Sequence, residues 1–120
     1  MPRVTIGVGV NGVPALGMSD RDGKLRAAVA VSAEGAASVG VFDRNEKPRA
    51  KLTTDERGAP TLQLLDDQLG IRAVLSTDQE RTLLRIADPS GQTRVGLGLS
   101  DDAPGIVIFD ENGTTIGKIP

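Results

Sequence analysis

The sequence contains no cysteine, histidine, tryptophan or tyrosine, and its only aromatic residues are Phe42 and Phe109. Disulfides, zinc–thiolate sites and thiol nucleophiles are therefore excluded. Sites that use histidine, the commonest general base and metal ligand, are excluded as well. No apolar run approaches the ~20 residues of a membrane-spanning helix. The residues after Met1 run directly into alternating sequence, so no signal peptide is expected. A net charge of −2 gives no basic field to hold nucleic acid.

A repeat of 22 or 23 residues runs through the chain. Its marker is an aspartate, found at Asp20, Asp43, Asp66, Asp88 and Asp110. An arginine follows six residues later at Arg26, Arg49, Arg72 and Arg94, whereas the fifth unit has Ile116 there. Counting back one unit from Arg26 leads to Arg3. Because apolar residues also recur at fixed distances from each aspartate, the repeat spans one domain, residues 1–120.

Each unit is predicted to form two β-strands, because apolar and polar residues alternate with the period of two that is typical of strands. The predicted strands are 3–8, 13–19, 25–31, 37–42, 48–54, 60–65, 71–77, 82–87, 93–99, 105–109 and 115–119. Short loops join consecutive strands, which requires antiparallel neighbours. The sequence therefore predicts an all-β fold, an antiparallel up-and-down meander of eleven strands with no helix.

The turns that open at the marker aspartates carry a type I turn signal followed by a left-handed residue. Gly23, Gly91 and Gly113 take that left-handed position in three of the turns. The turn at Asp43 contains no glycine, and Asn45 is expected to supply the positive φ there. In the turn at Asp66 the glycine comes one residue later, at position 70. The alternate turns, including the one at Asp101 and Asp102, are expected to be looser.

One face of this meander collects apolar residues, and a single layer of strands cannot bury such a face alone. The predicted self-association face comprises Leu52, Leu62, Leu64, Leu75, Leu84, Ile86, Leu97, Ile106 and Ile108. Three arrangements would cover it: a closed barrel, a sandwich, or a triangular β-prism of three chains. The prism is favoured, because the first and last of eleven strands would meet in parallel in a barrel. The small residues Ala27, Ala50 and Ala73 also suit a narrow core.

The pattern Leu62-x-Leu64-x-Asp66-x-x-x-Gly70-x-Arg72-Ala73-x-Leu75 resembles a tandem β-hairpin repeat that is common in uncharacterised bacterial proteins. In those proteins, units of similar length often follow a membrane anchor or a coiled coil. The resemblance covers nearly the whole chain. It implies a spacer or assembly role, and it supplies no catalytic residue.

The column formed by Arg26, Arg49, Arg72 and Arg94 is the first candidate binding surface. As a ladder on the polar face, it suits an acidic glycan or another polyanion. The favoured interpretation is that each arginine pairs with the aspartate beside its own turn, or with glutamates and aspartates of neighbouring turns, because exposed ion pairs of this kind are common. Phe42 and Phe109 point away from the main apolar face and would form a docking patch if they were adjacent.

The acidic turns indicate neither a calcium site nor a general acid or base. Asp20-x-Asp22-Gly23 matches only part of a calcium loop, because no glutamate follows at position twelve. Neighbouring carboxylates on solvated turns lack the burial that tunes a general acid or base. Gly96 and Gly98, on the polar face, indicate close packing of another backbone or of a partner surface there. No cofactor, metal site or catalytic residue is expected.

These observations predict a non-enzymatic structural or assembly module. We expect it to self-associate, with a trimer favoured, and to dock to a larger complex or act as a rigid spacer. The alternative is a binding module for an acidic glycan or other polyanion on the arginine column. Neither nucleic acid nor direct membrane insertion is expected.

Overall fold

The computed structural model describes residues 3–100 and 103–120. Eleven strands form one sheet in sequence order, and each strand is antiparallel to the next. They are β1 (Val4–Val8), β2 (Pro14–Ser19), β3 (Leu25–Val31), β4 (Ala37–Phe42), β5 (Pro48–Thr54), β6 (Pro60–Leu65), β7 (Ile71–Thr77), β8 (Arg81–Ala87), β9 (Thr93–Ser100), β10 (Ala103–Phe109) and β11 (Thr115–Ile119). The described residues contain no helix. The predicted all-β meander is thus confirmed.

The sheet remains open within one chain. The first and last strands, β1 and β11, lie at opposite ends of the strand order, and no pairing joins them. A closed barrel is therefore wrong, and so is a sandwich made by one chain, because all eleven strands belong to a single sheet. The predicted turn at Asp101 and Asp102 lies outside the described residues.

The molecule is an extended slab that measures 54 × 30 × 19 Å. Its radius of gyration is 17.5 Å, whereas a compact domain of this length would have one of about 13.6 Å. Its accessible surface is 8481 Å², against about 6,200 Å² for a compact monomer of this mass. None of the described side chains is buried. The excess surface is that of a sheet with one layer and no core.

A single row of directly paired apolar residues crosses all eleven strands, at an interior position in β1 to β10 and at the last residue of β11. This middle row consists of Ile6, Leu16, Val29, Val39, Leu52, Leu62, Leu75, Leu84, Leu97, Ile106 and Ile119. Every member is valine, leucine or isoleucine, so the period of two in the sequence places one large apolar side chain per strand on the same face.

A second row runs parallel to the first on the same face and is more varied in size. It consists of Val4, Met18, Ala27, Val41, Ala50, Leu64, Ala73, Ile86, Val95, Ile108 and Gly117. From β2 onward, a large residue on each even-numbered strand alternates with a smaller one on each odd-numbered strand. All nine residues predicted for the self-association face belong to these two rows.

A β-bulge lies beside each turn that opens at a marker aspartate. In the first of these hairpins, Met18 pairs with Ala27 and the next residue, Ser19, pairs with Leu25, so Arg26 is the extra residue. The register skips Arg49, Arg72, Arg94 and Ile116 in the same way. The arginine column is therefore a column of bulge residues. Alternation alone did not reveal this: a bulge shifts the alternation by one residue, but only one strand residue, such as Leu25 in β3, precedes it.

Left-handed backbone occurs at the third residue after each marker aspartate. Gly23, Gly91 and Gly113 adopt it with φ values of 78°, 89° and 81°, as predicted. In the other two turns the prediction fails, because positive φ falls on Glu46 (61°) and Leu69 (65°). Neither Asn45 nor the later glycine of the Asp66 turn takes it. The hydrogen bonds of the aspartate fix the turn geometry, and the residue at the third position follows it.

Candidate functional site

The apolar face of the sheet is not covered by any other part of the chain that the structure describes. Among the described residues of its strands, no charged side chain lies on this face, and its polar members are Thr54, Thr77 and Thr82. Leu62 is 38% exposed and Leu75 is 45% exposed, although both sit at the centre of the sheet. Exposed apolar surface that is contiguous across a whole sheet is unusual in a monomeric protein.

An apolar hollow of about 540 Å³ lies on this face where β9, β10 and β11 meet. Leu97, Leu99, Pro104, Ile106 and Ile119 line it. These side chains come from the middle row and from the row next to it. The hollow is thus a local depression of the apolar face.

The opposite face, called here the outer face, carries charge of one sign within its strands. Among the residues that the structure describes, none of those in strands is an aspartate or a glutamate. The basic residues within strands are Arg26, Arg49, Lys51, Arg72, Arg81, Arg85, Arg94 and Lys118. The acidic residues that the structure describes lie in the turns, at the two edges of the sheet. Outer-face cations are therefore flanked by carboxylates along both edges.

The arginine column is paired within its own hairpins, as the favoured interpretation expected. The distances between guanidinium nitrogen and carboxylate oxygen are 2.6 Å for Arg26–Asp20, 3.5 Å for Arg49–Asp43, 3.8 Å for Arg72–Asp66 and 3.5 Å for Arg94–Asp88. In each pair the arginine meets Oδ2 of the aspartate that opens its turn. The column is thus part of the hairpin structure.

The second oxygen of each marker aspartate holds the turn itself. In the first hairpin, Oδ1 of Asp20 accepts the backbone N–H groups of Asp22 and Lys24 at 2.9 and 3.0 Å. These bonds favour the ionised carboxylate, so the backbone amide of Lys24 and then the Arg26 side chain lower the pKa of Asp20. The pKa of Asp88 is lowered first by the hydroxyl of Ser90.

Two of the arginines also link neighbouring hairpins. Nε of Arg72 donates to the carbonyl oxygen of Ala87 at 2.8 Å, and Nε of Arg94 donates to that of Phe109 at 2.9 Å. Each acceptor is the last residue of the next strand, beyond the arginine's own hairpin. Sequence reasoning missed these bonds, because they depend on how consecutive repeats stack. The Nε donors of Arg72 and Arg94 are consequently already in use.

The remaining outer-face candidates do not come together. Phe42 ends β4 and Phe109 ends β10, so the six strand spacings between them amount to about 29 Å. Phe42 lies over its neighbour Gly40. A side chain at Gly98 would collide with the carbonyl oxygen of Thr82 in β8. The close backbone that Gly98 indicated therefore belongs to the adjacent strand of the same chain.

Within residues 3–100 and 103–120, no cluster of three or more acidic side chains is arranged to hold a metal ion. The same residues include no helix with the length and apolarity needed to cross a membrane. No protein-family model matches the sequence, and no curated protein matches it.

Proposed function

We propose that this chain is a non-enzymatic structural module that assembles through its apolar face with two further copies of itself, and serves as a rigid spacer or docking unit. The observation that carries the proposal is the exposed, uncharged middle row, which runs without interruption across eleven strands. A face of this kind is stable in water only when another surface covers it.

Further copies of this chain are the occupant that the dimensions favour. The chain exposes about 2,300 Å² more than a compact monomer of its mass. That excess is in the range that an obligate interface buries. An identical copy offers an apolar face of the same length and with the same absence of charge. Packing such faces together would therefore bury no charged side chain of the strands.

The strand length favours three copies. A strand of six residues is about 20 Å long, and the centre of an equilateral triangle with 20 Å sides lies about 5.8 Å from each side. Half of the usual spacing between packed sheets is about 5 Å. Three sheets of this width therefore meet at the axis without leaving a channel.

The distribution of side-chain size supports the same geometry. A triangular core is deepest at the middle of each side and narrows toward the corners. The middle row contains only valine, leucine and isoleucine, whereas the second row includes alanines such as Ala50 and Ala73, as well as Gly117. A sandwich of two parallel sheets has uniform depth and would not call for this gradient.

The proposal that the chain is not an enzyme rests on its residue types and on the use of its carboxylates. The sequence has no histidine or cysteine. Backbone amides and arginines engage the aspartates that open the turns, and the pKa values of Asp20, Asp43 and Asp88 are lowered. A general acid working near neutral pH requires a raised pKa instead.

Light scattering behind a sizing column, over a range of protein concentrations, tests the assembly. We expect a mass near three times the 12.5 kDa of one chain. Leu62→Glu places a charge in the middle row, and we expect it to abolish the trimer. Gln63→Glu, on the outer face of the same strand, is the matched control and should leave the mass unchanged. A monomeric wild-type chain at every concentration would contradict the proposal, and a dimer would contradict its stoichiometry.

Polyanion binding on the outer face is a second candidate, favoured by the absence of acidic residues from the strands. Lys51 and Arg85 lie in one outer-face row and are exposed. Titration with a sulfated polysaccharide at low salt tests it. Binding that is lost in the double variant Lys51→Ala with Arg85→Ala would support this function, and no binding by the wild-type chain would overturn it.

A further inference from the structure

The two long edges of the sheet both carry acidic turns but differ in their basic residues, because the arginine column lies along one edge only. The turns that open at the marker aspartates form one edge, called here the arginine edge. The turns 9–13, 32–36, 55–59 and 78–81 form the other, called here the acidic edge. Glu34, Asp55, Glu56, Asp78 and Glu80 lie in its turns. Three sheets related by a three-fold axis bring the arginine edge of one copy against the acidic edge of the next at every corner.

A groove of about 600 Å³ opens on the acidic edge between the turns 32–36 and 55–59. It is lined by Ser32, Glu34, Thr54, Asp55, Glu56 and Arg57. Glu34, Asp55 and Glu56 are exposed and outnumber the single cation of the lining, Arg57, so the net charge of the groove is negative. The groove has the shape and charge to receive a basic turn.

The turn 43–47 on the arginine edge has the complementary charge. Its two acidic residues are engaged within the chain: Asp43 pairs with Arg49 at 3.5 Å, and Glu46 pairs with Lys24 at 3.4 Å. Arg44 is exposed at the tip, and Nζ of Lys47 donates to the carbonyl oxygen of Asp67 at 3.0 Å. The charge that this turn presents outward is therefore positive.

The topology places this turn and this groove at the same level of the sheet. The turn 43–47 joins β4 to β5, whereas the groove lies between the turn that joins β3 to β4 and the turn that joins β5 to β6. Copies around a three-fold axis are related by rotation without translation, so features at one level meet. From this coincidence of level and charge, and resting on the proposed assembly, we infer that the turn 43–47 of one copy seats in the acidic groove of the next copy.

A disulfide cross-link tests the contact, and the absence of natural cysteines makes the result unambiguous. The double variant Asn45→Cys with Glu56→Cys places one thiol on each edge. The strand β5 separates the two positions by about 23 Å, far beyond the ~7 Å limit between the Cα atoms of a disulfide, so no bond forms within a chain. We expect oxidation to yield covalent trimers on a non-reducing gel.

The matched control is Asn45→Cys with Ser90→Cys. Both positions lie on the arginine edge, and arginine edges never meet around a three-fold axis. This variant should remain uncross-linked at the same oxidant concentration. If the wild-type chain is a trimer by mass but the test pair cross-links no more than the control pair, the corner contact is wrong and the proposed function stands. Covalent dimers alone overturn the three-fold corner, and a monomeric wild-type chain overturns both proposals.

A charge exchange provides a second measurement. Arg44→Glu and Glu56→Arg each place like charges at every corner, and we expect each to raise the concentration of half-dissociation at low salt about fivefold. The double variant restores opposite charges and should return that concentration to the wild-type value. Equal weakening by the single and double variants would overturn the inference.

Discussion

The two faces of this sheet are built on the same strands but reach stability by different means. Each outer-face arginine of the repeat finds a partner within its own hairpin, at distances from 2.6 to 3.8 Å. The apolar face finds none within the chain, because every strand contacts only its sequence neighbours in one layer. The outer-face arginines of the repeat are therefore paired within one chain, whereas the apolar face stays open to solvent.

The largest effect should come from shortening an apolar side chain. In the assembly, Leu75→Ala leaves a cavity near the axis, and we expect it to lower the free energy of unfolding by about 2–5 kcal/mol. Val74→Ala, one residue away on the outer face, should cost less than about 1 kcal/mol. Urea denaturation at fixed protein concentration measures both. Equal costs would mean that Leu75, 45% exposed in the single chain, stays uncovered.

A smaller loss should follow from removing an outer-face arginine. Arg72→Ala deletes the bond to the carbonyl oxygen of Ala87 and the interaction with Asp66. We expect a loss of about 1–2 kcal/mol, measured by denaturation. Arg85→Ala, on the same face, is the control and should stay within about 0.5 kcal/mol. If Arg85→Ala lowers the free energy of unfolding by as much as Arg72→Ala, then the bonds that the arginine column makes to the hairpins are not what stabilises the outer face.

A gain in stability should follow from a substitution in the turn that opens at Asp66, at the edge of the sheet. Leu69 adopts a φ of 65°, a conformation that is unfavourable for a residue with a side chain. We expect Leu69→Gly to raise the free energy of unfolding by about 1 kcal/mol. Gln68→Gly, at a neighbouring position without positive φ, should give no gain. Destabilisation by Leu69→Gly would show that the leucine side chain contributes a contact that outweighs its backbone cost.

The smallest effect on stability should be seen when the pH is lowered. Backbone amides of Lys24, Lys47 and Glu80 are the first causes that lower the pKa values of Asp20, Asp43 and Asp78 below their ordinary 3.8. Stability from such groups is fully present above the unfolded value and is lost as the pH falls through the folded value. We expect the melting temperature to fall as the pH drops below about 4. Asp20→Asn should flatten this fall, and an unchanged slope would contradict the role of Asp20.

The sequence was sufficient to predict the strands where alternation and the marker residues agreed. The strand Ile71–Thr77 begins and ends where it was predicted, because Arg72 and the apolar residues at alternate positions define it. The strand Ala103–Phe109 begins two residues earlier than predicted, since Pro104 lies within it. A proline at that position is compatible with a strand when its missing N–H is not needed for pairing.

The details of the hairpins could not be predicted in the same way. The bulge at Arg26 shifts the alternation by one residue, but Leu25 is the only residue of β3 before it, so the shift cannot be seen in the sequence. The positive φ at Glu46 follows from hydrogen bonds that Asp43 makes to its own turn, and not from the preference of Glu46 itself. The bond from Arg94 to Phe109 depends on the stacking of two hairpins. The self-association face stays a prediction.

Because each strand pairs only with its sequence neighbours, the sheet can become longer or shorter without any change in its other dimensions. One repeat contributes two strands, so inserting one unit extends the slab by about 9.6 Å and leaves its cross-section unchanged. No distant contact has to be rebuilt, because none exists between non-consecutive strands. The number of hairpins therefore sets the length of the slab, which changes by a fixed increment when one unit is gained or lost.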